Sequence, residues 1–85
     1  MALKVSDRLK LRHLEVFVEV ARQKSVGRAG ERLALTQPAV SSQVRHLEQA
    51  LGMPMFEYVG RKLYCTAAGE ELAACVRSVF QELAD

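Results

Sequence analysis

Hydrophobic residues recur at helical spacing from residue 11 to residue 23, and charged residues fill the positions between them. This pattern predicts an amphipathic helix with Glu19 on its polar face. Ser25 is a favourable N-cap for a second, shorter helix that runs to about Leu33. Gly30 lies inside that helix, where a small residue permits close approach of another helix at a cost in helix propensity of about 1 kcal/mol. The predicted apolar positions of the first helix are Leu11, Leu14, Phe17, Val18 and Ala21.

A third helix is predicted from Thr36 to Leu51. Thr36 is its N-cap, and Pro38 lies in the first turn, where the missing N–H carries no penalty. Gly52 supplies the residue type expected just after a helix end. The apolar stripe of this helix is spaced by four, three and four residues, which leaves the polar positions on the surface. The stripe consists of Val40, Val44, Leu47 and Leu51.

The pattern changes between residues 55 and 65, where aromatic and apolar residues flank Gly60, Arg61 and Lys62. This predicts two short strands joined in a small basic hairpin. Thr66 then caps a last helix, whose apolar stripe is longer than a small three-helix core needs to cover. We therefore expect the part beyond about Val76 to project from the globule and to pair with a second copy of the chain. The alternative is that the whole stripe folds back onto Leu14, Phe17 and Val18 of the first helix. The stripe consists of Leu72, Val76, Val79, Phe80 and Leu83.

The predicted order of elements is helix, helix, helix, hairpin and long helix. This is the layout of a mainly α fold, the winged helix-turn-helix, with three helices, a small β-hairpin wing and a long C-terminal linker or dimerisation helix. We predict that residues 1–65 form the winged domain and that residues 66–85 form the linker and dimerisation helix. Such a fold binds DNA by placing its recognition helix, here at about 36–51, in a major groove.

The composition is that of one small globular domain. The chain has 85 residues, 49% of them hydrophobic and 26% charged, which leaves room for one core and no second one. No apolar run approaches the roughly 20 residues of a membrane span, and the first residues are too polar for a signal peptide. We therefore expect a cytoplasmic protein with no membrane partner. The two cysteines, Cys65 and Cys75, suit either core positions or one disulfide.

The net charge of +2 hides an asymmetry along the chain. Residues 1–12 carry four basic side chains against one acidic, residues 22–45 carry five against one, and residues 66–85 carry one against four. A basic front and an acidic tail suit a polyanion on one side of the molecule. The alternative, an ordinary scatter of solvated charge, stays open on this observation alone.

The exposed positions of the third helix carry small or amide-bearing side chains, which let a DNA duplex approach closely. Gln37 can form paired hydrogen bonds with an adenine edge, and Pro38 can rest on a thymine methyl group. Ser41 and Ser42 complete the candidate base contacts, although serine is common on exposed faces. The alternative for Gln37 is that of a solvated residue in the first turn.

Candidate contacts to the DNA backbone surround this surface. Thr36 and the free N–H groups of the first turn suit a phosphate oxygen, although Thr36 caps the helix in any case. Arg28 and Arg32 lie on the helix that would cross the backbone, and their alternative is simple solubility. Arg45 has the alternative of pairing with Glu48 or Gln49. The candidate set is Ser25, Arg28, Arg32, Thr36, Gln43 and Arg45.

The predicted hairpin tip carries two basic residues, Arg61 and Lys62, directly after Gly60. A basic tip of this kind can enter a narrow minor groove, where the negative potential favours arginine. The alternative is a solvated turn. We predict a minor-groove contact at residues 60–62.

Five segments of the chain, in register over about 60 residues, resemble the N-terminal DNA-binding domain of the LysR family of transcriptional regulators. Each segment alone is weakly specific, whereas the ordered set is strongly specific. Within the family the sequence looks most like regulators of carbon-fixation operons, and residues 16–26 are also similar to regulators of aromatic-acid catabolism. The segments are Leu14–Val20, Ser25–Leu33, Thr36–Ser41, Leu47–Gly52 and Phe56–Gly69.

The resemblance implies a sequence-specific DNA-binding module of a bacterial, nucleoid-associated protein that needs no cofactor. It also implies a homodimer on an inverted-repeat operator and a tetramer in a full-length protein. A small-molecule inducer would act through an effector-binding domain that these 85 residues do not contain. The resemblance also implies that five positions of this sequence contact a DNA groove and that Arg61 makes a contact from the wing. The five positions are Thr36, Gln37, Pro38, Ser41 and Ser42.

Three positions depart from the family pattern. Tyr58 stands where the family usually has arginine, so one expected phosphate contact lacks its usual side chain. Cys65 replaces a usual leucine and Gly30 a usual alanine, and both replacements are tolerable for the fold.

Two other functions compete with DNA binding. An enzyme needs a nucleophile or metal set, and the histidines and cysteines show no ligand spacing such as CxxC or HExxH, nor is there a glycine-rich phosphate loop. We therefore predict no catalysis and no metal. A winged helix used only for protein contact would carry an apolar or acidic third helix, whereas this one is small, polar and flanked by arginines.

Overall fold

A computed structural model describes residues 10–84, so the basic residues among positions 1–9 lie outside the described part of the chain. Four helices and one antiparallel hairpin follow one another in the predicted order. The recognition helix is the third helix, and the hairpin is the predicted wing. The elements are α1 Leu11–Gln23, α2 Val26–Leu33, α3 Gln37–Leu51, β1 Phe56–Val59, β2 Lys62–Cys65 and α4 Ala67–Ala84.

Local capping chemistry sets the helix ends. The Ser25 hydroxyl accepts a hydrogen bond from the backbone N–H of Arg28 (3.1 Å), and the Thr36 hydroxyl accepts one from the backbone N–H of Ala39 (3.2 Å). Gly52 ends α3 in the left-handed region, with a φ of 75°, where glycine meets no steric penalty. The predicted starts of the second and third helices and the predicted end of the third are confirmed.

The first helix is the centre of the fold, because α2, α3 and α4 all pack against it. Neighbours on two sides leave Val16, Val20 and Phe17 fully buried. The sequence pattern predicted one apolar face and missed Val16 and Val20. It also placed Leu11 in the core, whereas Leu11 is 52% exposed at the first turn of the helix.

Glu19 of α1 is buried, which corrects its predicted place on the polar face. Its carboxylate lies 3.7 Å from the guanidinium of Arg22 and 3.9 Å from Nε of Arg32, and it accepts a hydrogen bond of 2.7 Å from the Gln23 amide. These partners offset the desolvation of a buried carboxylate. The network joins the end of α2 to α1.

Two apolar clusters lie on the two sides of α1. One joins α1 to α3 and α4, and the other joins α1 to α2, α3 and the hairpin. The buried members of the first cluster are Phe17, Val18, Leu47, Met55, Ala73 and Val76. The buried members of the second cluster are Val16, Val20, Ala29, Val40 and Leu63.

The predicted apolar stripe of α3 is buried at its start and centre and exposed at its end. Val40 and Leu47 are fully buried, and Val44 is half-buried against the second cluster. Leu51 is 38% exposed, which corrects its predicted core position. It lies in the last turn of the helix, next to an exposed loop, so the core does not cover it.

Two glycines lie where another part of the backbone leaves no space for a side chain. A Cβ atom on Gly30 would lie 2.6 Å from the carbonyl oxygen of Leu35, and one on Gly69 would lie 2.1 Å from the carbonyl oxygen of Met55. The nearest neighbour of Gly30 is therefore the connection after α2, and a methyl group of Val40 on α3 would lie 3.5 Å from the same Cβ, so the predicted approach of another helix is right in part.

The hairpin is antiparallel, and its register pairs Tyr58 with Leu63 and Val59 with Lys62. Gly60 begins the turn with a φ of 66°. Lys62, predicted at the tip, is the first residue of β2. Leu63 is 7% exposed in the second cluster, and burying such a side chain contributes about 1.5–3 kcal/mol, which holds the wing against the helices.

The side chain of Glu48 joins α3 to the base of the wing. Its carboxylate accepts hydrogen bonds from the backbone N–H groups of Met55 (2.8 Å) and Phe56 (3.4 Å). A charged acceptor on a backbone donor makes a strong hydrogen bond. The start of β1 is thereby fixed relative to the recognition helix.

Thr66 joins the loop before β1 to the start of α4. Its hydroxyl donates a hydrogen bond to the carbonyl oxygen of Pro54 (2.8 Å) and accepts one from the backbone N–H of Gly69 (3.0 Å). Its own backbone N–H donates to the carbonyl oxygen of Met55 (2.9 Å). The predicted N-cap is confirmed, and it also anchors the loop before the wing.

The apolar stripe of α4 divides into a covered part and a free part. Val76 is 5% exposed in the first cluster, and Leu72 and Phe80 pack against the same cluster while partly exposed. Val79 is 46% exposed and Leu83 is 71% exposed. Val76 therefore belongs to the core of the single chain, and Val79 and Leu83 are the well-exposed apolar positions of the stripe.

Both cysteines are free thiols. Cys65 is half-buried at the end of β2, whereas Cys75 is exposed on α4, so the expectation that both fill the core is right in part for Cys65 alone. Burial, together with the nearby carboxylate of Glu70, raises the pKa of the Cys65 thiol.

A pair of stacked histidines joins the start of α1 to α3. The rings of His13 and His46 lie 5.3 Å apart at an angle of 13°, and Nδ1 of His13 accepts a hydrogen bond from the backbone N–H of Lys10 (3.0 Å). Burial, followed by electrostatic interaction with His46 and Lys10, lowers the pKa of His13 from its ordinary value of 6.5. An acceptor nitrogen is also lost when the ring takes up a proton.

We expect the contribution of His13 to the free energy of unfolding to be fully present above about pH 6.5 and to be lost as the pH falls from there through the lowered pKa of His13, since the unfolded chain binds the proton more readily. His13→Asn should flatten this part of the profile. Chemical denaturation at a series of pH values measures both, and comparison at pH 8 isolates the change that does not depend on protonation. An unchanged profile in the variant would show that His13 is not responsible.

Candidate nucleic-acid interface

The N-terminal half of α3 presents the predicted base-reading residues at the surface. Gln37, Pro38 and Ser42 are exposed, and Ser41 is half-buried. These side chains are short or end in an amide, so a duplex can approach the helix without displacing bulky groups. Gln43 faces inward: it is half-buried, and its side-chain oxygen is buried with no hydrogen-bond partner among residues 10–84.

The starts of α2 and α3 lie side by side. A Cβ atom placed on Gly27 would lie 3.8 Å from the hydroxyl oxygen of Ser25 and 3.9 Å from Oε1 of Gln37. Both helices therefore present their N-terminal ends, and the partial positive charge of each, to the same part of the surface.

A groove runs between these helix starts and the hairpin, and we call it the wing groove. It brings together five predicted site residues that lie as much as 37 positions apart in the sequence: Ser25, Arg28, Gln37, Arg61 and Lys62. Sequence reasoning missed Lys24, Tyr58 and Tyr64, which also line the wing groove. All of its charged lining residues are basic, so the groove suits a polyanion.

A smaller hollow lies beside α3, and we call it the α3 hollow. Ser41, Arg45 and Glu48 of α3 line it together with Tyr58 of β1. Glu48 is committed to the backbone of the loop before β1, and no ion pair joins it to Arg45 among the residues that the structure describes. The alternative in which Arg45 merely pairs with Glu48 therefore fails.

Arg32 lies apart from the wing groove. Its guanidinium is near Glu19, and its side chain, which is 66% exposed, shares a shallow surface with Gln23, Arg28 and Glu31. The structure thus gives Arg32 a partner within the protein, whereas Arg28 is exposed at the edge of the wing groove.

Comparison with known proteins identifies the family. The sequence profile described as bacterial regulatory helix-turn-helix protein, lysR family, matches residues 11–70. The chain belongs to the LysR family. The match extends from the first residue of α1 into the first turn of α4, so it covers the three helices and the wing.

Two LysR-type relatives show how much of such a protein this chain represents. The RuBisCO operon transcriptional regulator of Acidithiobacillus ferrooxidans is 47% identical over 73 residues, which are 86% of this chain and 24% of that protein. The transcriptional regulator PcaQ of Agrobacterium fabrum is 52% identical over 66 residues, which are 78% of this chain and 21% of that protein. The chain therefore spans about a quarter of the length of these curated relatives. The predicted resemblance to regulators of carbon-fixation operons agrees with the first name.

A solved structure confirms the fold. The BenM DNA-binding domain, crystallised with DNA of the catB site 1, matches with a TM-score of 0.84 and 29% identity over 88% of this chain and 81% of that one. The predicted fold class, a mainly α winged helix-turn-helix with a long last helix, is thus correct, as is the predicted family. Within residues 10–84, no helix is both long and apolar enough to cross a membrane.

One cause explains why the sequence did not reveal these residues of the wing groove. The sequence shows Lys24 only as one of the five basic residues of 22–45 and Tyr58 only as the replacement of a usual arginine. The groove that contains both forms when the hairpin packs beside α2. The signal that was available is the departure at Tyr58 itself, a large aromatic residue on a short strand that proves 66% exposed.

Proposed function

We propose that this LysR-type domain binds double-stranded DNA in a sequence-specific way, with α3 in a major groove and the hairpin tip at the adjacent minor groove. The observation that carries the proposal is the wing groove. It joins the exposed N-terminal turn of α3 to the basic tip of the wing across a surface whose charged residues are all basic. The matched BenM domain was crystallised with DNA, which supports the same use of this fold here.

In this arrangement Gln37 reads an adenine edge with paired hydrogen bonds, and Pro38 rests on a thymine methyl group. Ser42 is exposed and Ser41 lies at the rim of the α3 hollow, so both can donate to base edges on the same side of the helix. Direct readout requires side chains at the base edges, and these four occupy the N-terminal turns of α3.

The phosphate contacts come from the elements on either side of α3. Ser25 and Arg28 lie at the start of α2 on the wing groove, and Thr36 lies at the N-terminus of α3, whose free N–H groups suit a phosphate oxygen. Arg45 reaches a second phosphate from the α3 hollow. Two further predicted contacts have other surroundings within the protein, because Arg32 is near Glu19 and the Gln43 oxygen is buried.

Arg61 and Lys62 contact the minor groove that adjoins the major groove of α3. Both line the wing groove, and Gly60 sets the tight turn before them. A narrow, A·T-rich minor groove concentrates negative potential, so Arg61 favours such flanks.

The whole protein acts as a homodimer on an inverted repeat, with residues 66–85 as the linker and dimerisation helix and a tetramer in a full-length chain. An exposed apolar edge at Val79 and Leu83 supports pairing of α4 with the α4 of a second copy. We further propose that the domain has no catalytic activity, works in the cytoplasm on nucleoid DNA, and responds to a small-molecule inducer through a separate effector-binding domain.

The rival function, protein contact without DNA, is tested by salt dependence. When a protein neutralises DNA phosphates, log Kd rises linearly with the logarithm of the salt concentration, and the slope is steep. A module that contacts only proteins shows no such steep slope with DNA. Arg28→Ala should weaken binding to all sequences alike and reduce that slope by about one. Fluorescence anisotropy with labelled duplexes at several potassium chloride concentrations measures both quantities.

Arg77→Ala is the matched control, since it removes the same charge from α4 outside the wing groove. It should leave the slope unchanged. Equal changes in the two variants would mean that net charge alone acts, and loss of selectivity among sequences in Arg28→Ala would assign Arg28 to the bases instead of the backbone.

A further inference from the structure

We infer that Tyr58 is a DNA-backbone contact, whose phenol hydroxyl donates a hydrogen bond to a phosphate of the strand that passes between α3 and the wing. The inference rests on the proposed function, and it adds a neutral aromatic contact between the basic side chains of the wing groove and Arg45 of the α3 hollow.

Three residues line both concave parts of the interface, Val26, Tyr58 and Leu63, and Tyr58 is the exposed and polar one, so it forms the ridge between them. It lines the wing groove with Arg28, Gln37 and Arg61, and it also lines the α3 hollow with Arg45. Both the major-groove element and the minor-groove element of the proposed interface therefore border this one side chain.

The DNA strand that lies between α3 and the wing must pass over this ridge with its phosphates. In a B-form duplex the sugar–phosphate backbone separates each major groove from the adjacent minor groove. With α3 in the first groove and Arg61 at the second, the intervening backbone runs over Tyr58. A base edge is out of reach there, because the phosphates lie between the ridge and the base pairs.

The strand that carries Tyr58 is held against the core, whereas the Tyr58 side chain itself is exposed. Its cross-strand partner, Leu63, is 7% exposed in the core, whereas Tyr58 itself is 66% exposed. No group within residues 10–84 accepts a hydrogen bond from the Tyr58 hydroxyl. An exposed ring with an unused donor suits a phosphate oxygen, since tyrosine is among the side chains that donate hydrogen bonds to DNA phosphates.

The test compares Tyr58→Phe and Tyr58→Arg with the wild type on one selected duplex and one unrelated duplex across a salt series. Tyr58→Phe removes only the hydroxyl, and we expect about two-fold to ten-fold weaker binding to both duplexes with an unchanged salt slope, the loss of one neutral hydrogen bond. Tyr58→Arg places a positive charge on the same ridge, so the slope of log Kd against the logarithm of the salt concentration should rise by about one.

Thermal unfolding of each variant confirms that the fold persists, which the exposure of the side chain leads us to expect. Wild-type affinity from Tyr58→Phe on both duplexes, or a loss confined to the selected duplex, would overturn the phosphate contact while leaving the proposed function intact. A wild type without salt-dependent DNA binding would instead remove the proposed function.

Discussion

Replacement of Leu83 by aspartate is expected to dissociate the proposed dimer and to weaken binding to an inverted repeat by about 100-fold to 10,000-fold. Leu83 is 71% exposed at the free end of the α4 stripe, so in a dimer it would lie between the two chains. A charge there is costly to bury without a partner. Each separated domain then binds one half-site, and the effective concentration supplied by the second half-site is lost.

Leu83 is a sharper choice than Phe80, because Phe80 packs against the core of its own chain and its replacement would also destabilise the fold. Ser78→Asp is the matched control, since it adds the same charge on the exposed part of α4, about 140° around the helix from Leu83. Sedimentation gives the mass, circular dichroism gives the helix content, and anisotropy gives the affinity. A Leu83→Asp variant that stays dimeric, or a wild type that is monomeric even on DNA, contradicts the dimer proposal.

Replacement of Gln37 by alanine is expected to cost about 1–3 kcal/mol on the specific site and to relax the preference at one base pair. Gln37 is exposed at the first position of α3, beside the start of α2 and within the wing groove. Two hydrogen bonds to one adenine are lost together, so the discrimination against other bases at that position is lost with them.

Gln49→Ala is the control for this prediction, because Gln49 is an exposed glutamine of the same helix, more than three turns from Gln37. It should leave both affinity and preference unchanged. Competition binding with a set of duplexes that differ at single base pairs gives the measurement. If Gln37→Ala weakened every duplex equally, its role would lie with the phosphates.

The helix ends were predictable because their causes are local. Ser25 and Thr36 accept hydrogen bonds from residues three positions ahead, and Gly52 supplies a conformation that its own lack of a side chain permits. The exposed face of α3 was predictable for the same reason: its polar residues follow from helical spacing alone. These local signals were enough to give the order of elements and hence the fold class.

What the sequence did not reveal depends on contacts between distant segments. Val16 and Val20 are core residues because α1 has neighbours on two sides, which a single amphipathic stripe does not express. Glu19 is buried because Arg32 and other partners surround it after folding. Tyr58 joins the interface only because the hairpin packs beside α3, so no spacing rule identifies it.

Selection of bound sequences from random double-stranded DNA tests the central claim most directly. We predict an enriched inverted repeat, with half-sites about one helical turn apart or a multiple of that distance, an adenine position that depends on Gln37, and A·T-rich steps where the two wings meet the minor groove. The same selection with Gln37→Ala should keep the repeat and lose the preference at that one position. Recovery of sequences without a common motif, or of a single unrepeated half-site with one protein per site, would contradict the account.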